Sequence, residues 1–379
     1  MKRHWKKLIG RGLLAALLIA LVVSQTPQHV AAANTPVTVQ EIAHYVRERF
    51  GIPDNTKLTV APIQDSQYTD FYQTTIKVQL GKQQKSQPAF VTKDGHYLVI
   101  GIVFNDMPAA QNDGATNASA RDQKIVDFVR AQFHVPDAVK LSVGPFRDSR
   151  FEGFYTTTIY GQDGTRKTGQ SAYMTKDGRY AVIGSIYNLR VDPRTEVEHT
   201  INLNNQASVG PADAPVTIVE YADLECPMCA ETQKFFATQL IPKYGNKIRI
   251  IFKEFPLVTI HNWALTGAIA NECGYVLNPA DYFRFRSIIF ASQDMITADS
   301  ANARSLLLDM GQRAGYNRLK LAECIDSKAT LPRIEADMNE GQELGVISTP
   351  TLFINGTPVV GFSPTRIYQL INRDLQAAK

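Results

Sequence analysis

Residues 216–229 constrain the fold more than any other part of this 379-residue chain. They read Val-Thr-Ile-Val-Glu-Tyr-Ala-Asp-Leu-Glu-Cys-Pro-Met-Cys: a β-branched apolar run over 216–221, which predicts a buried strand, followed by two cysteines at C-x-x-C spacing. A helix is predicted next. Pro227 suits a first helical position, where its missing N–H is not needed, and 230–240 contains no breaker. Cys226 then sits at the helix N-terminus, its sulfur facing unpaired backbone N–H groups and the positive end of the helix dipole, an environment that favours thiolate over thiol. Cys226 is therefore the predicted nucleophile, exposed and reachable. Cys229, one turn on and less exposed, can close a short disulfide with it.

A C-x-x-C pair also serves as half of a zinc site, but such a site wants a second C-x-x-C or an H-x-x-x-H. The remaining cysteines, Cys273 and Cys324, stand 51 residues apart. No metal and no cofactor are expected.

At 44% hydrophobic and 20% charged residues the composition is that of an ordinary globular protein, long enough for two or three domains. Residues 1–33 differ. Lys2, Arg3, Lys6, Lys7 and Arg11 precede an uncharged apolar run over 12–23, and Ala31-Ala32-Ala33 supplies an A-x-A pattern. This predicts a secretory signal peptide cut after Ala33, with an uncleaved anchor as the lesser alternative because the run is short for a bilayer. Without it the chain carries 35 basic and 36 acidic residues, a net charge of −1, so the formal +4 is no argument for nucleic acid and none is expected as a partner. Export to the periplasm or extracytoplasmic cell envelope also permits stable disulfides. Cys273 and Cys324, in helical stretches flanked by Ala270, Leu321 and Ile325, are expected to form a structural disulfide in preference to two buried thiols.

After a short tether over 34–39, the chain repeats itself. Thr92-Lys93-Asp94-Gly95 recurs as Thr175-Lys176-Asp177-Gly178, an offset of 83 that also carries Phe50 to Phe133, Pro53 to Pro136, Asp65-Ser66 to Asp148-Ser149 and Phe71-Tyr72 to Phe154-Tyr155. Each copy opens on a helix stripe, Ile42, Tyr45, Val46 and Phe50 in one, Ile125, Phe128, Val129 and Phe133 in the other. Strand-like runs follow at 58–60, 71–78, 88–91 and 97–104, the last two joined by Asp94-Gly95 as a hairpin turn. Two duplicated small α+β units are thus predicted, at 40–105 and 121–190, with a flexible Ala/Asn/Asp/Gly linker at 106–120. Neither holds a cysteine, and His44, His96 and His134 do not share repeat positions, so a duplicated metal or catalytic histidine is excluded. Asp65-Ser66 and Asp148-Ser149 read as turn residues.

The join over 189–208 contains a predicted edge strand at 200–203. A second β-run spans 248–255, a helical region spans about 260–345, and strands return at 351–354 and 358–360 around Asn355-Gly356. Ser363-Pro364 is expected to cap a last helix. Strand, helix, strand, inserted helices, hairpin and helix is the α/β thioredoxin order with an all-helical insertion.

From about residue 200 onward the chain resembles the DsbA-like thioredoxin-fold thiol-disulfide oxidoreductases of the bacterial cell envelope. The matching stretches are 214–229, Phe252-Lys253-Glu254-Phe255-Pro256-Leu257, 261–273 and 335–356, the last including Gly345-Val346-Ile347-Ser348-Thr349-Pro350-Thr351. The resemblance implies that Pro350 is a cis proline facing the disulfide, preceded by Thr349. Proline tolerates a cis bond and, lacking an N–H, leaves the backbone of Thr349 to pair with an extended substrate. It also implies that Glu220 is a buried acid beneath the disulfide, a proton relay for Cys229; ionised burial of such a group is costly, and a solvated edge-facing glutamate is the alternative. His261 matches the family as well, though a histidine at a helix start more often packs than reacts. The tandem units are similar, less closely, to the small dimerisation domain of DsbC and DsbG type isomerases. A homodimer goes with that resemblance, but duplication within one chain leaves open that the two copies pair inside a monomer.

The expected function is a protein-disulfide oxidoreductase acting through Cys226 and Cys229, with cysteine-containing exported proteins as substrates and a membrane redox partner for recycling. The Pro-Met dipeptide lacks the histidine found in the most oxidising members, so a less oxidising pair is expected. Two alternatives stand: an isomerase or reductase with the tandem units as a substrate-binding platform, and a non-catalytic scaffold or chaperone.

Overall fold

A computed structural model describes residues 36–53, 55–105, 114–164 and 166–378. The leader predicted over 1–33 and linker residues 106–113 lie outside the described residues. No helix among the described residues is long and apolar enough to cross a membrane. The chain divides at 193–194 into two compact units, residues 48–51 grouping with the second.

The first unit is built on one ten-stranded sheet of order β1-β3-β4-β5-β10-β9-β8-β6, with β2 paired on β3 and β7 on β8. The first copy supplies α1 (Val39–Arg49), β1 (Leu58–Val60), β2 (Gln64–Asp65), β3 (Phe71–Leu80), β4 (Gln83–Thr92) and β5 (Tyr97–Phe104). The second supplies α2 (Gly114–Phe133), β6 (Lys140–Val143), β7 (Arg147–Asp148), β8 (Phe154–Asp163), β9 (Arg166–Thr175) and β10 (Ala181–Asn188). Ile42, Tyr45 and Val46 pack on Ile76, Ala89, Val91 and Leu98, while Ile125 and Val129 pack on Ile159, Ala172, Ala181 and Ile183. Alternation along the strands sends the neighbouring side chains to the other face, where Tyr97, Val99, Val103, Tyr180, Val182 and Ile186 form a core shared by both copies.

The repeated Thr-Lys-Asp-Gly has a local reason. Asp94 Oδ1 accepts from Thr92 Oγ1 at 2.5 Å and from the His96 N–H at 2.9 Å, and Gly95 takes a φ of 72°. Asp177 repeats this with Thr175 at 2.6 Å and the Arg179 N–H at 2.9 Å. Of the two Asp-Ser pairs the serines serve turns, Ser66 Oγ accepting from the Tyr68 N–H and Ser149 Oγ from the Phe151 N–H, each at 3.1 Å, whereas Asp65 and Asp148 end the short strands β2 and β7.

Two corrections concern this half and the join. The flexible linker predicted over 106–120 is helical from Gly114, because Ala115, Ala118 and Ala120 are strong helix formers. The edge strand predicted at 200–203 is absent. α3 (Pro193–Thr200) occupies the join, with Val197 and Ile201 four residues apart against Val219 and Tyr221, and the edge strand is β11 (Ala207–Val209).

The second unit is a five-stranded sheet of order β11-β13-β12-β14-β15, formed with β12 (Val216–Ala222), β13 (Ile248–Glu254), β14 (Thr351–Ile354) and β15 (Thr357–Val360). β12 and β13 are parallel, joined by a crossover through α4 (Pro227–Phe235), a π turn and α5 (Ile241–Tyr244). Phe235, Phe236 and Leu240 of that crossover pack with Ile367, Leu370 and Ile371 of α12 (Pro364–Ala377). Pro364 opens α12, but Ser363 makes no side-chain capping bond. The insertion comprises α6 (Ala264–Leu277), α7 (Tyr282–Ala291), α8 (Gln293–Ala298), α9 (Ala303–Arg313), α10 (Arg318–Ser327) and α11 (Leu331–Leu344). A disulfide between Cys273 and Cys324 ties α6 to α10. This is a thioredoxin fold with a helical insertion.

Candidate active site

β12 ends at Ala222, and the next four residues form a turn fastened from several sides. The Cys226 N–H donates to the Asp223 carbonyl at 3.0 Å and the Glu225 N–H to Asp223 Oδ1 at 2.8 Å. Asp223 Oδ2 accepts from the Leu257 N–H at 2.7 Å and lies 2.7 Å from His261 Nδ1. Glu225 Oε2 accepts from the Trp263 N–H at 2.6 Å. Gln293 Nε2, at the start of α8, donates to the carbonyls of Leu224 at 2.6 Å and Cys226 at 3.0 Å. The insertion thereby grips the turn that presents the sulfur.

Cys226 is the N-cap residue of α4, extended at φ −77° and ψ 121°, and Pro227 follows in the first helical turn. Cys229 and Ala230 donate their N–H groups to the Cys226 carbonyl at 3.1 and 3.3 Å. Both cysteines are thiols. Cys226 is 7% exposed and Cys229 0%, so the first sulfur has a narrow opening and is less exposed than the sequence led us to expect, while the second has none. Cys226 Sγ lies 3.3 Å from the Thr349 carbonyl oxygen, and the Thr349–Pro350 peptide is cis. The sequence stretches around 226 and 349–350 thus meet at one sulfur.

The two thiols are driven apart electrostatically. A hydrogen bond from the Cys229 thiol, one from the Thr349 side chain and the N–H groups of Cys229 and Met228 outweigh burial and lower the Cys226 pKa to about 6. Burial first, then the bond to Cys226 and the negative charges of Glu220 and Cys226, push Cys229 well above the ordinary thiol range. One thiol is thus a ready thiolate at neutral pH and its neighbour a proton holder.

Glu220 is wholly buried, with Oε2 accepting from Arg286 at 2.6 Å. Burial raises its pKa, and the Arg286 charge opposes that rise. Sequence reasoning did not single out Asp223, Glu225, Gln293 or Arg286. Two acids in the turn before Cys226 were a visible signal. So was Arg286, which shares a helix face with Tyr282 and Ile289, a charge on an apolar stripe. Gln293 left no such mark. Among the described residues no group of three or more His, Cys, Asp or Glu side chains could hold a metal ion.

A family model described as Thioredoxin matches residues 202–372. A putative protein-disulfide oxidoreductase of Rickettsia typhi is 30% identical over 46% of this chain and 63% of its own length. A Na+/H+ antiporter NhaA 3 of Salinispora tropica is 29% identical over 39% of this chain but only 21% of its own length. The chain therefore spans less than two thirds of either relative. The crystal structure of alpha-DsbA1 from Wolbachia pipientis aligns at 23% identity with a TM-score of 0.42, covering 48% of this chain and 99% of that one. With its strand order, its C-x-x-C at the start of α4 and its inserted helices, the C-terminal part of this chain is a thioredoxin-fold domain.

Proposed function

We propose that this protein is a thiol-disulfide oxidoreductase of the cell envelope that exchanges disulfides with exported cysteine-containing proteins through Cys226 and Cys229. The observation that carries the reading is the asymmetry of the pair: Cys226 opens a helix among donors to a thiolate, and Cys229 lies sealed behind it with its pKa pushed up. The basic and apolar leader at 1–33 supports export. Met228, Val258, Ile260 and Ile347 are all exposed on segments next to site residues, which suits an unfolded protein substrate.

In the oxidising direction a substrate thiolate attacks the Cys226 sulfur of the Cys226–Cys229 disulfide, and Cys229 leaves as a thiolate that takes up a proton. A second substrate thiolate then attacks the substrate sulfur of the mixed disulfide, releasing the Cys226 thiolate. Two substrate thiols have become a disulfide and two electrons rest on the enzyme pair. Run backward, the same steps reduce a substrate disulfide. Thr349, beside the Cys226 sulfur, and Pro350 are placed to align the incoming chain. A membrane redox partner would recycle the pair.

The test is alkylation of the reduced full-length protein across pH. Cys226 is expected to react with a midpoint near pH 6, as its lowered pKa dictates. A midpoint in the ordinary range near 8.5 would overturn the assignment and leave a scaffold. Cys229→Ala should accumulate mixed disulfides with exported proteins in cells.

A further inference from the structure

Behind the cysteines a single guanidinium joins the helical insertion to the central strand. Arg286, from the middle of α7, is 0% exposed and lies over the rings of Phe252 and Phe290 at 4.6 and 4.9 Å. Its Nε donates to Gln233 Oε1 at 3.1 Å, on the helix that carries both cysteines. Its Nη2 donates to Glu220 Oε2 at 2.6 Å, and its Nη1 stands 3.9 Å from Glu254 Oε1 on β13. Glu220 Oε1 is buried with no hydrogen-bond partner among the described residues. Glu220 is thus anchored by one oxygen and open at the other, and its charge acts on Cys229.

We propose that Arg286 is a positioning residue for the proton of Cys229: bonded to Glu220 Oε2, it offsets the cost of placing a charge on that buried carboxyl and leaves Oε1 free to receive the proton. The inference rests on the disulfide-exchange reading above. A carboxylate at zero exposure would otherwise hold its own proton, since nothing else there balances the charge. Arginine is suited to this because its guanidinium stays protonated at any working pH, so the positive charge does not leave when Glu220 titrates. The groups facing Glu220 are Arg286 and the two thiols; those facing Arg286 are Glu220, Glu254, Glu272, Tyr282 and Cys229. Glu254 does not compete for the guanidinium as an anion: burial, opposed by Arg286, raises its pKa to about 8 and leaves it mostly neutral at pH 7.

The step balances as follows. With Cys226 in a mixed disulfide, the Cys229 S–H proton passes to Glu220. The Cys229 sulfur attacks the Cys226 sulfur, the Cys226–Cys229 bond forms, and the bond from Cys226 to the substrate breaks. The substrate sulfur leaves as a thiolate carrying the electron pair, so the substrate is reduced and the enzyme pair oxidised. In reverse, Glu220 returns the proton to the departing Cys229.

Dithiobis(nitrobenzoate) added to the reduced full-length protein separates the two thiols in time. One coloured thiolate is released as Cys226 attacks and a second as Cys229 resolves the mixed disulfide. Absence of the first phase in the unsubstituted protein sinks the disulfide-exchange reading itself; the inference concerns the second phase. Arg286→Met is expected to slow that phase at least about tenfold at pH 7, within the span that positioned proton transfer contributes, with the deficit closing as pH rises. Arg286→Lys, whose buried ammonium can lose its proton and cannot reproduce the guanidinium fork, should recover only part of the rate. Glu220→Gln should be as slow as Arg286→Met, and Glu220→Gln/Arg286→Met no slower than Glu220→Gln, because the arginine acts through the glutamate. The double variant removes both buried charges together and is the more readily folded, so it decides the matter where Arg286→Met alone does not fold. A second phase at the unsubstituted rate and pH profile in Arg286→Met or Glu220→Gln overturns the proposal. So does a double variant that is clearly slower than Glu220→Gln.

Discussion

The Thr349 side chain is one of the groups that hold the Cys226 pKa near 6, and its buried hydroxyl has no hydrogen-bond partner at ordinary distance among the described residues, so it can serve the thiolate alone. Thr349→Val removes that donor while keeping the shape. A hydrogen bond to a charged group is worth roughly 1.5 kcal/mol, so the dissociation constant of the Cys226 thiol should fall about tenfold, read as an upward move of roughly one pH unit in the alkylation midpoint. The same lowered pKa links to stability. A thiol whose folded pKa lies below its unfolded value of about 8.5 stabilises the reduced protein fully above that value and loses the contribution as pH falls through about 6. Urea unfolding of the reduced protein and of Cys226→Ser should therefore differ least below pH 6 and increasingly up to about 8.5; a difference independent of pH would refute the lowered pKa. Cys226 could be placed from sequence because strand, proline and spacing act within one short stretch. The polar clamp of Gln293 could not, since its partners are carbonyls 67 and 69 residues away and any polar side chain reads alike until the chain has folded.

At the scale of elements, the helical insertion is held to itself by the disulfide from α6 to α10, which closes a loop with a sequence separation of 51. On the chain-entropy account, replacing Cys273 and Cys324 by serine should cost about 4 kcal/mol in urea unfolding, with the Cys226 alkylation midpoint unmoved because neither sulfur touches the site. A loss below about 1 kcal/mol would mean that the reduced ensemble is already held compact by the insertion's own apolar contacts. Elements were legible where their pattern was self-contained. The run 216–221 reads as a strand because it is largely apolar on both faces, as a strand with a core on each face must be, Val216 and Ile218 on one and Val219 and Tyr221 on the other. Elements dictated by a partner were not. β4 continues through Gln83, Gln84 and Lys85, residues of no strand pattern, because β3 pairs with it along its whole length. β11 is three residues whose strand character comes from lying beside Phe252, Ile251 and Ile250. The break between α10 and α11, where Lys328 turns left-handed at φ 53°, contains no glycine, and its mark in the sequence is Pro332 in the first turn of α11.

Across the first unit the duplication amounts to an internal dimer. β5 and β10 run antiparallel over eight residues, Ala181 opposite Phe104 through Asn188 opposite Tyr97, with Gly101 and Gly184 facing each other at the centre. Residues 83 apart exchange contacts: Tyr97 Oη accepts from the Glu152 N–H at 2.9 Å, and Tyr180 Oη from the Thr69 N–H at 3.2 Å. This is the self-complementary pattern of a two-fold interface, satisfied within one chain, so the strand edge that would otherwise recruit a second molecule is already used. Light scattering of the intact protein should accordingly give a monomer. The two glycines are what allow so close an approach. A Cβ on Gly101 would lie 2.3 Å from the Ile183 carbonyl oxygen, and one on Gly184 2.4 Å from that of Ile100, backbone atoms that cannot turn aside. Gly101→Val/Gly184→Val should therefore part β5 from β10 and expose the shared core of Tyr97, Val99, Tyr180 and Val182. Such a freed edge next to an apolar face pairs with another copy, so the variant should form dimers or larger species at concentrations where the parent stays monomeric. Its Cys226 should still alkylate near pH 6, because the groups that set that pKa all lie in the second unit. A parent that is itself dimeric, or a double-valine variant that stays monomeric and as stable as the parent, would show that the pairing of the two copies is not what closes this edge.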